Sequence, residues 1–298
     1  MPSVVPIEVF MIGRTQVDKD EVARWMKHIG ADEFEIPEDG AVTNPALLIA
    51  LAGKRCYMSF VKGLNPNVNR IRQDYVEYFD NILNSGHGSV LEHAVYNFAI
   101  EGVSRVFTAE MNRHRAGWAI SEGSLRFIRF DKNIPYWEPD SIKGPDVLDG
   151  QTCTILCNES AIPLLREGQI VLDTVEKKQH ATRAIFRDAF LSQEKSYAVM
   201  QAIWADELAP ESKFKGKKEI TSMMRRIVGL GVATGGVWSG NIRALRHVFT
   251  MRASAQAEEE MLHVFSRVIV KMAEKEPLLF GDFYQDAAGY WRPRYMKV

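Results

Sequence analysis

The sequence predicts an α+β fold in one domain. Three observations carry this. A strand-like alternation at residues 94–100 is flanked by segments with the 3.6-residue apolar period of helices. There is no internal repeat, no low-complexity tract and no clear linker. The 298-residue chain has 46% hydrophobic and 25% charged residues, an ordinary globular composition with ample core material.

From the N-terminus, residues 4–12 are β-rich and read as one short strand. Asn44-Pro45 reads as an N-cap with proline at the first helical position, opening a helix through Ala52. Ile71, Tyr75, Phe79, Ile82 and Leu83 recur at helical spacing, and Ser85-Gly86 ends that helix. Ala94, Tyr96, Phe98 and Ile100 share one face of a buried strand. After Gly102, Val103 to Asn112 reads as helix. Residues 113–137, with Gly117 and Gly123, read as loop and strand. From about 155 to 228 the pattern is helical, with Gly144-Pro145, Pro163, Pro210 and the lysine-rich run 213–218 as surface connections. A last long helix is expected near 254–274, through Met261, Leu262, Phe265, Val268 and Met272.

Lys plus Arg is 37 and Asp plus Glu is 38, so no global field points to nucleic acid or a membrane surface. No apolar run approaches the roughly 18 residues that span a bilayer, and the N-terminus has no leader pattern. A cytoplasmic protein is the expectation. Cys153 and Cys157, four apart with no second ligand pair nearby, read as structural thiols, and Cys56 as buried packing.

Chemistry concentrates in three places. Arg113-His114-Arg115 puts two guanidiniums and an imidazole in three residues before a glycine loop, a pattern suited to oxyanions. Ser121 to Arg126 adds a second polar cluster. His87-Gly-Ser-Val-Leu-Glu-His93 leads into the apolar strand. Two decoys are set aside. The glycines 229–236 follow a basic helical stretch rather than a strand, which a dinucleotide-binding loop requires. His87, Glu92, His93 and His114 lack metal-ligand spacing, so no metal is expected. Trp118, Trp238 and Phe127 could stack on a planar ring, but read better as core.

In this order the clusters resemble the flavin-dependent thymidylate synthases. The family signature is Arg-His-Arg, seven residues, Ser, one residue, Arg. Here eight residues separate Arg115 from Ser124, so the extra one falls in 116–120. Asn241-x-Arg243, His247, Arg252 and Arg225 resemble the family's C-terminal segments, and Lys54-Arg-Cys-Tyr57 a weaker one.

The resemblance implies a mixed, largely antiparallel sheet flanked by long helices, with FAD held outside any Rossmann loop. It also implies a single catalytic domain, helically inserted at about 131–214. Ser89, Arg113, His114, Arg115, Glu122, Asn241, Arg243 and His247 would hold FAD, with His87 bracing the loop. Glu110, Arg113, Glu122, Ser124, Leu125, Arg126, Arg225 and Arg252 would surround a uridylate. Many relatives have Gln at position 110, where an ionised carboxylate can only accept. Arg252 would polarise the uracil and Ser124 would hydrogen-bond the substrate. The implied reaction is conversion of dUMP to dTMP, with methylenetetrahydrofolate and NADPH as co-substrates, in a homotetramer with shared active sites. Two alternatives remain open: the same chemistry on ribo-UMP in nucleoside-antibiotic biosynthesis, or a non-catalytic nucleotide- or RNA-binding module.

Overall fold

The computed structural model describes residues 3–38 and 40–296. Its strands are β1 (Ser3–Val4), β2 (Glu8–Arg14), β3 (Val95–Ser104), β4 (Trp118–Glu122), β5 (Pro135–Tyr136), β6 (Ala233–Asn241), β7 (Phe283–Gln285) and β8 (Trp291–Pro293). Helices α1 (Lys19–His28), α2 (Asn44–Tyr57), α3 (Tyr75–Asn84) and α4 (Arg105–Met111) precede β4. Between β5 and β6 lie α5 (Gly150–Leu156), α6 (Ala161–Arg166), α7 (Val175–Ile203), α8 (Ala205–Leu208) and α9 (Phe214–Met224). Helices α10 (Ile242–Arg252), α11 (Glu259–Lys275) and α12 (Pro277–Phe280) follow.

The fold is α+β with antiparallel pairing, as expected. A four-stranded sheet has the order β2-β3-β6-β4, and two small sheets pair β1 with β5 in parallel and β7 with β8 antiparallel. The chain divides into two compact units. One comprises residues up to Glu8, Glu101–Glu110 and Glu122–Gly236; the other comprises Val9–Ile100, Met111–Ser121 and everything from Val237.

The first unit is built on α7. Tyr136 stacks on Phe190 at 4.3 Å between ring centres, and Tyr197, Leu208, Ile220, Met224 and Val232 close the same cluster. Thr174 caps the 29-residue helix by accepting the Lys177 N–H. Gly102, with φ of +75°, lets the chain pass Pro6, whose carbonyl would lie 1.9 Å from any added Cβ.

The second unit packs α2, α3, α10, α11 and α12 together. Tyr96, Phe98, Phe79, Leu47, Phe249 and Phe265 are all fully buried. Phe249 contacts Phe265, Phe280 and Phe283 at 6.0, 5.5 and 5.8 Å between ring centres. Met261, Phe265, Val268 and Met272 form the buried face of α11, as their spacing predicts.

Several expectations shift. The strand at 4–12 divides into β1 and β2, which belong to different sheets, and Pro6, which has no N–H for a ladder, lies at the break. Thr43, not Asn44, caps α2, because its Oγ1 accepts the Ala46 N–H while Asn44 Oδ1 takes that of Val17. The strand at 94–100 runs on to Ser104, whose hydroxyl accepts from Val106 and Phe107 and starts α4 there. Pro163 lies inside α6, and Lys215, Lys217 and Lys218 lie within α9 rather than in a connection. Cys56 is exposed near the end of α2, not packed.

One buried acid carries a pH consequence. Glu276, 1% exposed, accepts the Tyr96 hydroxyl on Oε1 and the Thr43 hydroxyl on Oε2 at 2.5 Å. Burial raises its carboxyl above the ordinary 4.5, against the lowering effect of those hydroxyls and of Arg14. A raised folded pKa gives stability that is full below the unfolded value and lost as pH rises through the folded one. Thermal melts between pH 5 and 9 should therefore show a melting temperature that falls with rising pH. Glu276→Gln should flatten that fall and be at least as stable at neutral pH. An unchanged slope in the variant would contradict the assignment.

Candidate active site

Helix α10 organises the larger group of polar residues. Its N-cap is Asn241, whose Oδ1 accepts the Ala244 N–H at 2.8 Å and whose own N–H donates to the Gly117 carbonyl at 3.0 Å. Gly117 adopts φ of +74°, and an added Cβ would lie 2.6 Å from Asn241 Nδ2 and 2.8 Å from Ala244 Cβ. Only glycine fits there, so the loop after Arg115 is locked to the start of α10.

The inner face of α10 is apolar apart from Arg246. That guanidinium is 3% exposed and binds Asp282 with two hydrogen bonds, Nη1–Oδ1 at 2.6 Å and Nη2–Oδ2 at 2.7 Å. Arg246 also donates to the Leu279 carbonyl and lies 4.9 Å above the Phe283 ring. The outer face carries Arg243 and His247, four apart and exposed, and the half-buried Arg252 ends the helix.

Of the expected flavin residues, Arg243 and His247 lie on this helix, Asn241 caps it, and all the others except Glu122 lie in the same unit. Arg243 Nη1 donates to Glu92 Oε1 at 2.6 Å, which ties α10 to the short 3-10 turn Gly88–His93. His87 immediately precedes that turn, makes no side-chain capping bond to it and meets the Tyr57 ring edge-on at 5.9 Å, while Ser89 on the turn is exposed. Arg252 Nε donates to His114 Nε2 at 2.9 Å, and the His114 and His247 rings lie 6.5 Å apart. Accepting at Nε2 makes His114 a neutral imidazole with its proton on Nδ1. Arg113 and Arg115 flank it, both exposed. His87, Ser89, Arg113, His114, Arg115, Asn241, Arg243, His247 and Arg252 thus share the second unit.

Glu110, Glu122, Ser124, Leu125, Arg126 and Arg225 belong to the first unit. Glu122 Oε2 forms an ion pair with Arg105 Nη1 at 3.1 Å, and Arg105 also donates to the Gly123 carbonyl, so the two side chains hold each other in place. Sequence reasoning passed over Arg105. Its partners, Glu122 and the Gly123 carbonyl, lie 17 and 18 residues away, beyond the reach of local spacing.

Ser124 starts a turn, its carbonyl accepting from Phe127 and Ile128 and its hydroxyl accepting the Arg126 N–H at 3.4 Å. Leu125 is partly buried and packs its side chain against the Tyr136–Phe190 cluster. Phe127 is exposed, stacks on Phe214 at 5.7 Å and lies under the Lys218 ammonium at 5.1 Å. Phe127 therefore bridges the turn to α9 rather than packing in the core. That joins the turn to the helix whose end is Arg225, about 10 Å along the axis from Lys218. Arg126 is exposed and Arg225 half-buried. Among the described residues neither guanidinium has an ion-pair partner.

Trp238 is fully buried, as core, and Trp118 covers Gly240 at 3.1 Å from its would-be Cβ. The glycines 229–236 run from a 3-10 turn directly into β6, with no helix behind them. No phosphate-binding strand–loop–helix exists there.

Comparison with known proteins gives the family. The family model described as Thymidylate synthase complementing protein matches residues 41–278. The flavin-dependent thymidylate synthase of Mycobacteroides abscessus is 28% identical over 283 residues, covering 95% of this chain and 92% of its own. That of Corynebacterium diphtheriae is 28% identical over 246 residues, covering 82% and 81%. Among solved structures, a UMP/dUMP methylase PolB from Streptomyces cacaoi bound with 5-Br dUMP superposes with a TM-score of 0.56. It is 14% identical and covers 94% of this chain and 96% of its own. Thymidylate Synthase X from Helicobacter pylori, with FAD and dUMP, gives 0.51 at 18% identity, covering 93% and 98%. These two share the fold. The match over 41–278, with an α10 whose outer face carries the expected Arg and His residues, places this chain in the thymidylate synthase complementing protein family, that of the flavin-dependent thymidylate synthases.

Proposed function

We propose that this enzyme methylates C5 of a uridylate, converting dUMP to dTMP with FAD, NADPH and methylenetetrahydrofolate. The observation that carries the reading is the 2.9 Å bond between Arg252 Nε and His114 Nε2. It joins the C-terminal arginine to the middle of the Arg-His-Arg signature across 138 residues of sequence. Two segments of the resemblance thus meet in the folded chain.

The donor set fits FAD. Arg113, Arg115, Arg243 and His247 are exposed and offer N–H donors suited to a diphosphate, and Glu92 is neutralised by Arg243. Ser89 adds an exposed hydroxyl on the turn that Glu92 anchors. FAD, when bound, supplies the redox chemistry that no side chain can.

The chain's own residues then bind and polarise. Arg252 is aimed by its Nε bond to His114, and its charge stabilises the negative charge that develops on the uracil edge. Preorganised charge of this kind contributes roughly 3–4 kcal/mol. Arg126 and Arg225 neutralise the nucleotide phosphate. Ser124 hydrogen-bonds the substrate and Leu125 offers backbone groups only. Glu122, fixed by Arg105, accepts from bound groups, as does Glu110. Cys56 takes no part, and C5 is activated without a thiolate. On this reading the protein works in the cytoplasm as a homotetramer with shared active sites.

Purified protein should be yellow, bleach anaerobically with NADPH, and form dTMP from dUMP and methylenetetrahydrofolate. Colourless protein that binds polynucleotide with steep salt dependence would contradict the enzyme reading. Parallel assays with UMP decide the sugar, and comparable turnover of UMP would displace dUMP as the sole substrate. Arg252→Ala should lower kcat by about 10²–10³ while retaining bound flavin. Full activity in that variant would remove Arg252 from its role.

A further inference from the structure

Helices α5 and α7, with the segment that precedes α5, bring together three side chains that the reaction does not use. Cys153 Sγ lies 3.1 Å from His180 Nε2, and His180 Nδ1 lies 3.0 Å from Asp146 Oδ1 and 3.3 Å from the Pro145 carbonyl. Both partners of Nδ1 are acceptors, so Nδ1 carries the proton and Nε2 presents a bare lone pair to the sulfur. The thiol proton therefore points at a base whose far side is steadied by a carboxylate. Arg183, largely buried, binds the same Asp146 oxygen and holds it in place. The imidazole is buried, Asp146 is exposed and Cys153 half-buried, so reagents reach the sulfur while the base is fixed.

Burial and the charges of Asp149 and Asp146 push the Cys153 thiol up, so it rests as S–H. Its neighbour Cys157 is also half-buried and also pushed up by burial. The two sulfurs differ in the base facing Cys153.

We propose that Cys153 is a nucleophilic modification site, activated by His180 and Asp146, that takes low-molecular-weight disulfides. The Cys153 sulfur attacks one sulfur of the disulfide, forming a new S–S bond as the reagent's own breaks. The thiol proton passes to His180 Nε2 and then to the departing thiolate. Cys153 ends oxidised in a mixed disulfide, and one reagent sulfur leaves reduced as a thiol. Exchange at sulfur needs a thiolate and a proton acceptor and no oxyanion hole, which is what these side chains supply.

The test measures site-resolved modification of the full-length protein by glutathione disulfide at pH 7, read by peptide mass spectrometry. Cys153 should react at least about tenfold faster than Cys157, and His180→Gln should bring it down to the Cys157 rate. At pH 10, where the thiolate forms without help, wild type and His180→Gln should react alike, which shows that access is intact. Asp146→Asn, a change on an exposed side chain, should slow Cys153 several-fold at pH 7 and leave Cys157 unchanged. Cys153 reacting no faster than Cys157, or indifferent to both substitutions, overturns the proposal.

Discussion

The ion pair between Arg246 and Asp282 sets the position of the candidate active site. Removing two charges from water costs several kcal/mol each, and only good geometry with further hydrogen bonds recovers that. Here both guanidinium Nη atoms meet carboxylate oxygens, and the Leu279 carbonyl takes a further bond. The pair fixes the rotation of α10 about its axis, which a purely apolar inner face would leave looser. With that rotation set, the helical period turns Arg243 and His247 outward. The Asn241 cap and Gly117 then fix the helix along its axis and fasten the signature loop to it.

The two compact units divide the residues expected at the site between them. The second unit holds the imidazoles and the guanidiniums of the Arg-His-Arg signature and of α10. The first holds the serine turn, Arg126 and Arg225. Each set rests on a rigid support: the aromatic cluster around Phe249 for one, the Tyr136–Phe190 stack and α9 for the other. Sites built on packed helices hold their geometry more closely than sites on free loops.

Much of this was legible in the sequence because it rests on periodicity and on short-range rules. The buried face of α11, the strand through Tyr96 and Phe98, and the end of α3 at Ser85 follow from local spacing. The sequence marks Asn241, Arg243, His247 and Arg252 as a motif without marking α10 as a helix. Arg246 went unnoticed because its partner lies 36 residues away, and an arginine on an otherwise apolar face carries no local sign of being paired. The same holds for Cys153 and His180, 27 residues apart in sequence and in contact only once α5 packs on α7. Asn44 was misplaced as a cap because Thr43 and Asn44 are both good caps, and a contact to Val17 decided between them.

The most direct measurement is FAD affinity in Asp282→Asn, with circular dichroism to show that the secondary structure persists. Asp282 faces the core side of α10, so any effect on the cofactor must pass through the helix. The substitution strands a buried guanidinium and should destabilise the protein by about 3–5 kcal/mol. If the pair positions the outer face of α10, FAD affinity should fall at least about tenfold. A folded variant that binds FAD as tightly as wild type would show that α10 holds its place without the pair.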